Sequence, residues 1–291
     1  QYVAEPNTVT SVVVSATDPA FCDAGPCPVN GVLWHEVSSI VSDPGDPAAP
    51  YKLFFHTYAS VAGGAVLRRD WGYIGMQTAT TPDAWSAETK LLGWKSDATL
   101  STAGVAQVLT DLPQLADCVV FTEPGAIVTP LGIDLALSCA YPAAGTIAIR
   151  VVLLRSTDHA KSFAYVSELV SASDFGCLDG GAPQVLGPDL FTVDGNEYVV
   201  VSPVGPVSNT DAGGYRGCAA IPIADASSGA IARTDSGAPV VMRRVEADDG
   251  RFTGPCTYAE GASAIGLLVP MQFTVENLPS FRILPTTIAV P

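Results

Sequence analysis

Trp34-His35-Glu36-Val37-Ser38-Ser39-Ile40-Val41 decides the fold, together with Tyr51-Lys52-Leu53-Phe54-Phe55-His56-Thr57-Tyr58 beyond a Pro/Gly/Asp-rich turn. An acidic residue opens a short β-branched run, the chain turns, and an aromatic strand returns. The pattern recurs three times. Thr122-Glu123-Pro124-Gly125-Ala126-Ile127-Val128 leads to Ile133-Asp134-Leu135-Ala136-Leu137-Ser138. Leu178-Asp179-Gly180-Gly181-Ala182-Pro183-Gln184-Val185 leads to Glu197-Tyr198-Val199-Val200-Val201. Ala259-Glu260-Gly261-Ala262-Ser263-Ala264-Ile265 leads to Leu267-Leu268-Val269-Pro270-Met271-Gln272. Read together, these are the innermost hairpins of four blades of a β-propeller, with their acids facing a shared axis.

Outward from these hairpins, further strand runs lie between turn residues, and helix-period patterns are nearly absent. Trp71–Thr78 and Lys90–Trp94 complete a first four-stranded antiparallel unit. Ile147–Leu154 and Ala164–Leu169 complete the second, Tyr215–Ile223 and Val240–Val245 the third. The last unit has only Phe281–Leu284 as a third strand, so the N-terminal run at 8–15 is expected to close the ring there and remove an exposed edge. Residues 102–109 read as a short helix or part of an insertion. The acids are spaced 87, 56 and 81 residues apart, which fits blades with variable insertions. A β-sandwich is the rival architecture. No linker-like stretch or composition shift divides residues 1–291, so one all-β domain is expected, with four blades readable and a fifth conceivable in 95–120.

Composition narrows the function. The 291 residues are 48% hydrophobic and 15% charged, enough to bury a large core. Fourteen Lys and Arg against 29 Asp and Glu give a net charge of −15, opposite to the basic footprint that a phosphate backbone requires. No apolar run reaches the roughly 20 residues of a membrane span. The seven cysteines, Cys22, Cys27, Cys118, Cys139, Cys177, Cys218 and Cys256, form no CxxC pair, so they point to disulfides rather than zinc. Cys22 and Cys27 are placed to close a small loop, and the odd count leaves one thiol over. A secreted or periplasmic location is expected.

Glu36-Val37-Ser38, Glu123-Pro124-Gly125, Asp179-Gly180-Gly181-Ala182-Pro183 and Glu260-Gly261-Ala262 resemble the strand openings of the five-bladed propeller glycosidases, the arabinanase/xylosidase and invertase-like group. Tyr73–Thr80 followed by Pro82-Asp83-Ala84-Trp85 resembles that group's third strand and hairpin. The resemblance spans residues 32–270 and is loose. It implies a cofactor-independent hydrolase of poly- or oligosaccharides; where the group opens its first blade with Asp, this chain carries Glu36. Ser156-Thr157-Asp158-His159-Ala160-Lys161-Ser162-Phe163 separately resembles the Asp-box of sialidase-type propellers, a structural turn between outer strands.

Glycoside hydrolysis needs two carboxyls flanking one bond, one protonated and one ionised. Glu36, Glu123, Asp179 and Glu260 are the candidates: Glu36 as base, Glu260 as acid, and Glu123 or Asp179 as orienting partner. The bland alternative is that these acids cap strand starts or hold a water or a structural cation such as calcium in the channel. His35, His56, Trp34 and Arg216 are candidate substrate-binding groups, against the equally ordinary roles of a satisfied strand histidine, a packed indole and a surface arginine. No nucleophile elbow, zinc-protease motif or P-loop is present. The carbohydrate-binding but non-catalytic propeller stays open as a second reading.

Overall fold

The computed structural model describes residues 10–14, 29–61, 72–93, 104–143, 146–171, 173–174, 184–204, 215, 217–245, 255–259, 266–275 and 278–287. These residues form four sheets in chain order. The first contains β1 (Thr10–Val14), β2 (Val29–Ser42), β3 (Tyr51–Val61), β4 (Tyr73–Ala79), β5 (Thr89–Gly93) and β6 (Gln107–Val108). The second runs outward from β7 (Val120–Thr129) through β8 (Gly132–Ala143) and β9 (Thr146–Ser156) to β10 (Ala164–Val170). The third contains β11 (Gln184–Val193), β12 (Asn196–Val204), β13 (Cys218–Asp225), β14 (Ala230–Ile231) and β15 (Arg243–Val245). The fourth contains β16 (Thr257–Ala259), β17 (Gly266–Val275) and β18 (Leu278–Thr287). Every pairing is antiparallel except β5 with β6.

The sheets stack face to face, and the first strands β2, β7, β11 and β16 lie beside one another in turn. Strand periodicity explains how the second sheet is packed on both sides. On β8, Ile133, Leu135, Leu137 and Cys139 point into a core shared with Phe54, Ile74 and Leu92 of the first sheet. The alternate residue Ala136 joins Val185, Val199 and Val201 of the third. Likewise Val152 and Leu154 of β9 face one way, and Val151 and Leu153 the other. Phe191, Tyr198 and Val200 then meet Cys256 and Tyr258 of the fourth sheet. Near-continuous apolar strands are therefore required, which accounts for the positive mean hydropathy of +0.31.

One expectation is corrected. The N-terminal strand does not complete the last sheet; β1 pairs with β2, from Thr10 opposite Leu33 to Val14 opposite Val29. β2 is 14 residues long, and its first third would otherwise present an unpaired edge. Pairing across a short intervening loop also costs less closure entropy than a return over the whole chain. Of the stretch 102–109, expected as a short helix or part of an insertion, residues 104–109 are described, and 104–108 contain no helix. Gln107 and Val108 form β6, followed by two 3-10 turns, Leu109–Asp111 and Pro113–Leu115. Fully buried Leu109 and Leu115 plug the outer edge of the first core.

The Asp-box reading holds. Ser156–Phe163 bridges β9 and β10, and Asp158 accepts the Lys161 and Ser162 N–H groups at 3.1 and 2.9 Å. Burial pushes the Asp158 carboxyl up, but bonds from Ser162 and Ser156 outweigh it and hold it at about 2. Two disulfides form, Cys118–Cys139 and Cys218–Cys256; Cys22, Cys27 and Cys177 lie outside the described residues. Cys218–Cys256 ties β13 to the chain entering β16, across 38 residues. Replacing both partners with alanine should lower unfolding stability by about 3–4 kcal/mol, from the loop-closure entropy of the unfolded chain. Urea unfolding under non-reducing conditions checks this, and an unchanged midpoint would contradict it.

Candidate functional site

The first strands of the first three sheets each carry a β-bulge. In β2 the register shifts between Glu36 and Ser38, in β7 between Thr122 and Gly125, and in β11 between Leu186 and Asp189. Bulges re-aim side chains and leave backbone groups outside the ladder, so they recur beside functional sites. Here they put Glu36, Glu123 and Gly187 at corresponding places. Glu123 and Gly187 also share a left-handed backbone, φ 59° and 58°. That conformation is uncommon for a residue with a side chain, and it persists only when the surroundings hold it.

Several bonds hold Glu123. Its Oε2 accepts the Ser138 hydroxyl at 3.0 Å and the Gly187 N–H at 2.7 Å. Its Oε1 accepts the Tyr215 hydroxyl at 3.3 Å. The residue is 8% exposed. A carboxylate so supplied with donors is fixed in orientation and links the second sheet to the third. Gly187 needs to be glycine twice over: its backbone is left-handed, and a Cβ there would run into the Pro255 ring.

His56 belongs to the same cluster. It lies opposite Glu36 on the β2–β3 ladder. Its Nδ1 is 2.8 Å from the Thr122 hydroxyl, its ring stacks on Tyr58, and it is buried. The first and second sheets therefore meet through His56 and Thr122, one residue before Glu123. Glu36 and Trp34 are placed by backbone register alone.

His35 is elsewhere. It shares a ladder row with Thr57 and Tyr73, one residue out of step with His56. Its Nε2 is 3.2 Å from Glu88, which also accepts the Thr57 hydroxyl at 3.3 Å. Burial, with the Glu88 carboxylate alongside, pushes the Tyr73 phenol well above its ordinary range. The two histidines of the first hairpin thus serve opposite faces, because side chains alternate along a strand.

The third sheet's first strand is β11, beginning at Gln184, and its bulge position holds Gly187. In the fourth, Thr257–Ala259 is already strand before Glu260 is reached. Asp179, Glu260 and Arg216 lie outside the described residues. A signal for the bulges of β7 and β11 is present in the sequence: Glu123-Pro124 and Gly187-Pro188 lie 64 residues apart.

Sequence reading also missed Asp189. Its Oδ2 accepts the Thr257 hydroxyl at 2.5 Å and the Tyr258 N–H at 2.8 Å, and its Oδ1 accepts the Leu190 N–H at 3.0 Å. Burial nevertheless pushes its carboxyl above the usual range. One cluster among the described residues has metal-ligand spacing, Asp43, Asp46 and His159. The Lys52 ammonium already sits there, 3.5 Å from Asp43 and 2.9 Å from Asp46, so the chain supplies its own cation.

No known protein family and no curated protein matches the chain. Solved structures do resemble it. One is an exo-1,5-α-L-arabinanase from a bovine ruminal metagenomic library, 13% identical, TM-score 0.48, covering 87% of this chain and 74% of that one. Another is a family 43 endo-arabinanase from Bacillus licheniformis, 15% identical, TM-score 0.47, covering 87% and 73%. A third is levansucrase from Bacillus subtilis, 11% identical, TM-score 0.47, covering 87% and 68%. These likenesses are loose, and the roles of individual residues rest on the geometry above.

Burial holds the His56 imidazole down at about 4, against an ordinary value of 6.5. Its neutral form is the one the fold accepts. The associated stability is complete above pH 6.5 and is lost as pH falls toward 4, by about 3 kcal/mol in all. In His56→Asn the slope of stability against pH between 6.5 and 4 should flatten. Denaturant titrations at several pH values check this, and an unchanged slope would show that other groups set it.

Proposed function

We propose that the sheets close into a propeller and that the chain is a glycoside hydrolase acting on an oligo- or polysaccharide. The site is at the end of the axis where the bulges of β2 and β7 lie. The observation that carries this is the strained, buried Glu123, joined through Thr122 and His56 to the rung that bears Glu36. Two acids on neighbouring first strands are the minimum that glycoside hydrolysis requires. In this reading the donors around Glu123 keep it oriented, and Glu36 is the base. Glu260 remains the proposed acid and Asp179 a further partner, both from the sequence pattern. Tyr215 bonds to Glu123 from the third sheet, and Trp34, His35 and Arg216 are proposed sugar contacts. The negative charge and the disulfides suit an extracellular setting.

One observation favours the second reading, a carbohydrate-binding propeller without turnover. The third sheet places no carboxyl at the position that Glu123 holds in the second, because Gly187 admits no side chain there.

Glu36→Gln and Glu123→Gln, each assayed on aryl glycosides and plant polysaccharides, should lose about 10²–10⁴-fold in kcat/KM if they carry proton transfer or charge stabilisation. Saturable polysaccharide binding with no turnover in the parent protein would reject the hydrolase and leave the binding module.

A further inference from the structure

Beside the bulges, the first strands of all four sheets line an open pocket of about 400 Å³, within the usual volume range for a small-molecule site. Its wall is composed differently from the acid cluster above. Ser38, Ser42, Thr192 and Thr257 contribute hydroxyls and are exposed into it, while no basic side chain lines it. Ile40, on the same wall, is 61% exposed and offers the pocket an apolar side chain. Asp189 is the single carboxyl among the lining residues.

Asp189 is enclosed by protein, yet part of its surface stays open, and it borders this cavity. Two backbone N–H groups and the Thr257 hydroxyl fix it in place. Each carboxylate oxygen can accept more than one bond, so acceptor capacity is left for a guest. The burial that raises its pKa disfavours a bare charge, so a hydroxyl donor suits it better than a free anion. An anionic guest would meet no countercharge.

We propose that this axial cavity is a binding site for a single neutral sugar residue or polyol, anchored by a hydroxyl donated to Asp189. The remaining hydroxyls of the guest face Ser38, Ser42 and Thr192, and its C–H face covers Ile40. The ligand class is shared with the hydrolase reading, but the site needs no catalysis and does not include Glu36 or Glu123.

Calorimetric titration of the full chain with D-glucose, L-arabinose and xylitol tests this. At least one should bind saturably in the low-millimolar range. Asp189→Asn should weaken that binding about tenfold, the loss of one good hydrogen bond. Since Asp189→Asn also disturbs the seam to Thr257 and Tyr258, a second pair of variants is needed. Ser42→Trp and Thr192→Trp, at exposed positions, should abolish binding by filling the cavity while leaving Tm unchanged. Glu123→Gln should bind as the parent does, even if it loses all turnover, which separates this site from the proposed active site. No saturable binding to the parent, binding of calcium chloride but of none of the three probes, or sugar binding that survives both tryptophan variants would overturn the proposal.

Discussion

Backbone N–H groups of the first strands that face away from their own ladders must find acceptors elsewhere. The first strands of adjacent sheets lie side by side but do not pair, so no strand neighbour can satisfy them, and a buried unmet donor costs about 1–3 kcal/mol. The chain answers with side chains that reach from one sheet to the next. Ser39 accepts the Ala126 N–H at 3.0 Å. Glu123 accepts that of Gly187, and Asp189 that of Tyr258. Farther out, Arg155 is held by Asp134 at 2.6 and 2.7 Å and donates to the Ala226 carbonyl of the third sheet at 2.6 Å. Ser202 accepts the Cys256 N–H at 3.0 Å. The apolar cores between the sheets supply most of the burial, and these polar links fix how each sheet is rotated on the next.

That role changes the meaning of an acid at the start of a first strand. Glu123 stands in a seam, and the same bonds that hold two sheets together also orient its carboxylate. Structure and chemistry are not competing readings there. A carboxylate intended for catalysis needs fixed geometry and a supply of donors, and the seam provides both. Asp189 is seamed in the same way but opens onto a different space.

The strands were legible because their periodicity is strong. The hairpin of β2 and β3, the β7–β10 unit and the Asp-box all lie where alternation and turn residues put them. Acidity does not mark the bulge of the third sheet; there, as in the second, a proline does, following Gly187 as another follows Glu123. Proline lacks an N–H and so tolerates a place outside the ladder. Asp189 escaped notice because it follows that proline, and only the fold shows that it borders a cavity. For the N-terminal strand, which pairs with β2, sequence shows that an edge needs covering but not which one.

A link from a side chain to a main-chain N–H asks little of the partner's identity. Every residue except proline offers the same donor, so hydroxyl and carboxyl can replace one another, and the reaching residue can move a few positions along its strand, as Ser39, Glu123 and Asp189 have done. Such an architecture can keep its shape while its sequence drifts. Its descendants would be recognisable by their outline long after their internal repeats had ceased to look alike.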